Sequence, residues 1–204
     1  EREVSQVVRL LELIDDEDLS SVYGTSPEKA LMFHRQNQDA FNSRCAPAIE
    51  RYTGVVYEHI GWSTLSEKAK DYMEKYIYIF SGLFGLLTPK TPIPDYKLKM
   101  NVLSLQHHWN PILTETLKDE KVIVDLLPQV HRKAYKPNKD NVITVDFQIT
   151  NKGKKSAAGH FGKAVKGEFI RYIAENNITD IEGFSGFEYE GFKWDGTSFV
   201  KENS

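Results

Sequence analysis

Six basic side chains fall within twenty residues of the C-terminal third: Lys152, Lys154, Lys155, Lys163, Lys166 and Arg171. The first three sit on a turn, Asn151-Lys152-Gly153-Lys154. The others follow at helical spacing. At roughly 100° per residue, Lys166 lies about 60° to one side of Lys163 and Arg171 about 80° to the other, so they share one broad side. A turn and a helix start presenting ammonium and guanidinium groups suit a phosphate backbone and read no base sequence. The same pattern also fits an ordinary solvated helix face. Lys133 belongs to the same block, since residues 131–171 carry ten basic against three acidic side chains, net +7. Residues 1–30 and 172–204 each carry net −5, so the overall charge of −3 hides the asymmetry. Either the basic block faces an external anion or the acidic ends fold back and neutralise it.

A second constellation lies at Ser81-Gly82-Leu83-Phe84-Gly85. Small residues after an apolar run expose backbone N–H groups that can cradle a phosphate. Neither a Walker sequence nor Gly-x-Gly-x-x-Gly is present. Ser81 resembles a strand-end nucleophile only loosely, because Gly-x-Ser-x-Gly is absent. With Tyr52, Tyr96 and Lys97 the corner has the makeup of a concave small-molecule site. The alternative is tight backbone packing. Of His34, His59, His107, His108, His131 and His160, none has a second His or Cys at the spacing that pairs two ligands on a helix face. Solvated or capping histidines are expected, with no metal and no cofactor. Cys45 follows Arg44, which favours its thiolate, but a lone cysteine beside one arginine is weak grounds for a nucleophile.

These residues need elements to position them. With 204 residues, 40% apolar and 12% aromatic, the chain has the makings of an aromatic-rich globular core rather than disorder. No apolar run reaches the ~20 residues a membrane span needs. One cysteine excludes an internal disulfide and points to a reducing cytosol. Apolar spacing predicts helices over Glu1–Ile14, from Ser26-Pro27-Glu28 onward, over Glu67–Tyr76 with Ser66 as cap, over Trp109–Leu117 and over His160–Asn176. Phe161, Ala164, Val165, Phe169, Tyr172 and Ile173 form the apolar face of the last. Strands are expected at Ala48–Val56, Ile77–Phe80, Tyr96–Met100, Val122–Leu126 and Val142–Ile149. The last pairs beyond the Asn151–Lys154 turn. Phe187–Tyr189 and Phe192–Trp194 read as a hairpin, and Phe199–Val200 as a final edge piece. Pro89–Pro94 cannot be helix. The order argues one α+β domain over 1–204, with a helical N-terminal part and a mixed sheet packed by helices.

Several spaced motifs resemble the YaaA family of bacterial peroxide-stress resistance proteins. They are Tyr52-Thr53-Gly54, then Ser81-Gly82-Leu83-Phe84-Gly85-Leu86-Leu87 with Pro89, and Tyr96-Lys97-Leu98 with Met100. Further on are Lys163, Lys166-Gly167, Arg171-Tyr172-Ile173 and Gly183-Phe184 before an aromatic hairpin ending at Asp195. The similarity spans roughly residues 48–200. Over 1–47 only helical character agrees. The resemblance implies a cytosolic bacterial protein of mixed α/β fold that limits unincorporated iron, and so oxidative DNA damage, during peroxide stress. It also implies duplex DNA binding through a positive cleft with a helix-hairpin-helix-like element. Set against the family pattern, which opens with an apolar strand and Ser-Pro-Ala-Lys, that segment is expected to be missing ahead of Glu1. The chain also departs from the pattern at Lys90-Thr91-Pro92, at Leu98-Lys99-Met100 and at Pro128-Gln129-Val130-His131. Lost carboxylates and a gained Lys99 favour anion binding over acid–base work.

Two functions are therefore expected to compete. One is a non-catalytic, monomeric stress protein holding double-stranded DNA, or another phosphate-rich ligand, through Lys133, Lys152, Lys154, Lys155, Lys163, Lys166 and Arg171. The other is a small-molecule enzyme or phosphometabolite-binding protein with a pocket at Tyr52, Ser81, Tyr96 and Lys97. Direct iron handling finds no ligand set in the sequence.

Overall fold

A computed structural model describes residues 1–203 as an α+β fold. In chain order the elements are α1 (Arg2–Glu12), α2 (Leu19–Tyr23), α3 (Pro27–Gln38), β1 (Cys45–Pro47), α4 (Ala48–Arg51), α5 (Val55–Ile60) and α6 (Glu67–Tyr76). There follow β2 (Ile79–Ser81), β3 (Gly85–Leu87), β4 (Pro92–Pro94), α7 (Leu105–Thr116), β5 (Ile123–Asp125), α8 (Gln129–Arg132), β6 (Val142–Thr144), β7 (Phe147–Asn151) and β8 (Lys154–Ala157). The chain continues through α9 (Gly159–Glu175), β9 (Glu188–Tyr189), β10 (Phe192–Trp194) and β11 (Phe199–Asn203). They gather into two compact units, one of residues 1–51, 78–121 and 127–141, the other of residues 52–77, 122–126 and 142 onward.

The first unit joins the helices α1–α3 to two small antiparallel sheets, β1–β4 and β2–β3. Val7, Val8 and Leu11 of α1 are buried, as the period of that segment requires. Helix α3 starts at Pro27, whose fixed φ suits the first helical position, but the Ser26 side chain makes no capping bond. A buried polar network sits among the helices. Asn37, fully buried, donates to Tyr23 Oη at 3.1 Å, and Tyr23 Oη lies 3.3 Å from His34 Nδ1. Gln38 Nε2 lies 3.0 Å from His34 Nε2.

The second unit is built on a five-stranded mixed sheet of order β8-β7-β11-β10-β9, with α9 against it. Fully buried Phe169 of α9 packs on Phe147, Phe199, Phe184 and Phe187 at ring-centroid distances of 4.8–6.4 Å. Burying each such ring contributes about 1.5–3 kcal/mol, so this aromatic knot anchors the helix. Helix α5 lies along α9 at Gly167. A Cβ there would stand 2.4 Å from Val56 O and 2.6 Å from His59 Cβ, so only a missing side chain admits the contact. Ser66 caps α6 by accepting from the Ala69 N–H at 3.2 Å.

Four expectations are corrected. Ala48–Val56 is not a strand: Ala48–Arg51 and Val55–Ile60 are helical, and Cys45–Pro47 pairs with Pro92–Pro94 instead. Tyr96–Met100 alternates in burial as a strand does, with Leu98 and Met100 buried, yet belongs to no sheet. There the Asn37 amide replaces a neighbouring strand, accepting from Lys97 N at 3.0 Å and donating to Lys97 O at 2.9 Å. Phe199–Asn203 is no edge piece but the central strand, parallel to β7 and antiparallel to β10. Phe161, placed on the apolar face of α9, is 38% exposed.

Candidate nucleic-acid interface

The turn that carries the first lysines forms as its sequence requires. Asn151 pairs with Lys154, leaving Lys152 (φ +48°) and Gly153 (φ +75°) as a two-residue loop. Both lie in the left-handed region that a tight hairpin turn demands, and glycine takes that region at no steric cost. Edge strand β8 is exposed throughout and runs through Ala158 into α9. The hairpin and the helix start therefore follow one another with one residue between them.

The seven basic residues divide by what they touch. Lys152, Lys154 and Lys163 are exposed and make no ion pair among the described residues. Lys155 Nζ donates to Asp195 Oδ2 at 2.7 Å. That ammonium, with the backbone N–H groups of Ser198 and Thr197, holds the Asp195 carboxyl well below the usual carboxylate range. Here an acidic residue of the C-terminal block does fold back onto the basic one. Lys166 Nζ donates to the Leu126 carbonyl. Arg171 Nη1 donates to Ile60 O at 3.0 Å and to Thr64 Oγ1 at 2.9 Å, closing the C-terminal end of α5, and Nη2 lies 3.8 Å from Glu175. Lys133, also exposed, belongs to the first unit. Three lysines of the hairpin and helix start thus remain open to an anion, and Lys155, Lys166 and Arg171 hold the fold.

Around Ser81 the small residues make room for protein. A Cβ on Gly82 would stand 2.6 Å from Leu98 O, and one on Gly85 2.5 Å from the Trp109 ring, whose Nε1–H donates to Gly82 O at 2.9 Å. Ser81 is 1% exposed; its hydroxyl lies 2.7 Å from Tyr96 Oη and accepts from Phe84 N at 2.9 Å. Lys97 is exposed, with its backbone held by Asn37. Tyr52 belongs to the second unit, where it stacks on Tyr57 at 5.3 Å. Burial, with Tyr52 beside it, raises the Tyr57 pKa above its ordinary value. A groove of about 250 Å³ in the first unit is lined by Phe84, Leu86, Trp109 and Leu113 with Glu1 and Glu3. None of the four pocket residues lines it, and its carboxylates repel a phosphate.

Sequence reasoning missed one titratable pair. His59 Nδ1 lies 2.9 Å from Glu168 Oε1, with the Tyr189 ring edge-on to the imidazole at 6.2 Å. The residues are 109 positions apart and joined by the close approach at Gly167, which no local pattern announces. Among the described residues no three His, Cys, Asp or Glu side chains converge on one point, and no helix is long and apolar enough to cross a membrane.

A family model described as "Peroxide stress protein YaaA" matches residues 1–198. The chain belongs to the YaaA family. The match starts at residue 1, so it takes in the N-terminal helices where motifs alone gave only helical character. Among similar proteins, a UPF0246 protein of Streptococcus pneumoniae (strain P1031) is 28% identical over 98% of this chain and 89% of its own length. One from Flavobacterium johnsoniae is 29% identical over 95% and 84%, and one from Lactobacillus helveticus 29% over 73% and 64%. The chain thus spans just under two thirds of the Lactobacillus helveticus protein. The name UPF0246 states no activity. YaaA membership, by its description, connects the fold to peroxide stress.

Proposed function

We propose that this protein acts in peroxide stress as a non-catalytic DNA-binding protein, holding the phosphate backbone of duplex DNA with Lys152, Lys154 and Lys163. By keeping to DNA it limits iron-driven oxidative damage there. The observation that carries the reading is that these three ammonium groups stay exposed and make no ion pair among the described residues, while Lys155, Lys166 and Arg171 are spent on the fold. Charge left unneutralised at a hairpin tip and helix start is available to phosphates, and each phosphate neutralised releases condensed counterions.

Affinity for a labelled duplex, measured against salt, tests it. Log affinity should fall linearly with log salt, with a slope of about −0.9 per contact and therefore about −3 for three lysines. Lys154→Ala or Lys163→Ala should each make the slope shallower by about one. Lys155→Ala should leave it nearly unchanged, because that ammonium already serves Asp195. A flat salt dependence, or three variants behaving alike, would overturn the proposal.

A further inference from the structure

We infer that the outer edge of strand β8 is a docking site for an acidic, extended segment of a partner protein, which joins the five-stranded sheet as a further, antiparallel strand. The inference concerns backbone groups and does not rest on the DNA-binding reading.

Strand β8 (Lys154–Ala157) ends the sheet on one side, and all of its residues are exposed. Its register with β7 tells which way its backbone points. The Ala158 N–H donates to Phe147 O at 2.9 Å. Bonded pairs recur at every second residue of an antiparallel ladder, so Ser156 with Ile149 and Lys154 with Asn151 are the next ones along. Lys155 and Ala157 alternate with them. Their N–H and C=O groups face away from β7, on the side where the sheet has no further strand. Donors and acceptors thus stand in a row on an exposed edge, the template onto which another strand pairs.

Native edges are commonly blunted by proline, a bulge or shortness. Strand β8 contains no proline and pairs with β7 in unbroken register from Lys154 to Ala157. The opposite edge, β9, is only 2 residues long. What guards β8 is charge, and charge selects the occupant. If a second copy of the chain paired there, Lys152, Lys154 and Lys155 would meet their own images. A strand bearing carboxylates meets attraction instead. Lys155 Nζ already holds Asp195 Oδ2 at 2.7 Å, so its side of the sheet has a counter-ion. Lys154 makes no ion pair among the described residues and stands on the other side, with Ser156. The incoming strand therefore carries its acidic side chains on the Lys154 side and β-branched ones beside Ala157. Directly opposed residues share a side of the sheet. In an antiparallel strand, the residues whose backbone bonds Lys155 and Ala157 are then the β-branched ones, and the acidic residues turn their N–H groups outward.

A fluorescein-labelled peptide, Thr-Glu-Val-Glu-Val-Glu-Thr, tests this by anisotropy against the full chain. The wild type should bind it, and should bind the same peptide with Lys in place of Glu roughly tenfold more weakly. N-methylation of both Val residues removes the donors that face β8 and should weaken binding roughly tenfold. N-methylation of the Glu residues should leave binding nearly unchanged. Ala157→Pro removes an outward donor without touching the β7 ladder, a substitution that edge strands tolerate. It should lose the peptide while keeping the cooperative melting of the wild type and its salt dependence for duplex DNA. Equal binding of the Val-methylated and unmethylated peptides would mean that the lysines attract any acid, and overturns the inference; so does the absence of peptide binding. A dimer in sedimentation without peptide, dissociated by Ala157→Pro, would give the edge to a second copy and overturns it as well.

Discussion

A side chain on Gly167 has nowhere to go: its Cβ would meet backbone, Val56 O at 2.4 Å, rather than a flexible tip. Gly167→Ala should cost about 1–3 kcal/mol, as overpacking does, and also loosen the His59–Glu168 pair; urea denaturation at neutral pH measures it. Charge within the first unit gives a second residue-scale prediction. Burial lowers the pKa of His34 below its ordinary 6.5, a tendency that the charge of Asp16 partly opposes, and burial alone lowers that of His131. For both, the folded state favours the neutral ring, so the unfolded chain binds more protons as pH falls through the unfolded value. Stability is therefore full above about pH 6.5 and declines below it. His34→Gln should reduce the pH dependence of the unfolding midpoint between neutral pH and pH 5, whatever it does to the midpoint itself. An unchanged dependence would mean that His34 is not buried in neutral form.

Helix ends decide much at the scale of elements. Ser66 Oγ accepts from Ala69 N and donates to Glu175 Oε2 at 2.7 Å, while Ser66 N–H donates to Glu175 Oε1 at 3.1 Å. One serine thus caps α6 and fastens it to the last turn of α9. Ser66→Ala should cost about 1 kcal/mol from the lost cap, read as a lower urea midpoint with unchanged slope, and Ser66→Asp should lose more because its carboxylate would face Glu175. Elements of this kind are legible in sequence: Ser66 before an apolar period, the Lys152-Gly153 turn, and the buried Val165, Phe169 and Ile173 of α9 all carry their own local signal. What escaped was non-local. Residues 96–100 alternate correctly, but the groups that satisfy Lys97 come from a side chain 60 positions away. Phe199–Asn203 looks peripheral until its parallel partner, more than 50 residues earlier, is known. The site divides along the same line. Spacing found the lysines, but that Lys155, Lys166 and Arg171 already have partners depends on residues 40 to 111 positions distant.

On the scale of the whole molecule, the chain passes between its two compact units five times, and neither unit is one continuous stretch. The proposed interface lies in residues 152–163, which invites the idea that the C-terminal piece from Val142 onward could fold and bind alone. Its packing argues otherwise. Without residues 52–77, α9 loses the α5 surface that meets Gly167 and the carbonyls of Ile60 and Gly61 that receive Arg171. Without residues 122–126, β6 loses its parallel partner β5, and the Lys166 ammonium loses the Leu126 carbonyl. A fragment of about 60 residues with one helix face uncovered falls where a single core is marginal. A 142–204 fragment should therefore give no cooperative thermal transition in far-UV circular dichroism and be digested rapidly by a nonspecific protease, whereas the full chain melts cooperatively. Its DNA affinity should drop even though Lys152, Lys154 and Lys163 are all present, because an unfolded segment of the same charge does not hold them at one hairpin and helix start. A fragment that melted cooperatively and kept the salt dependence of the full chain would show that α9 needs no support from α5.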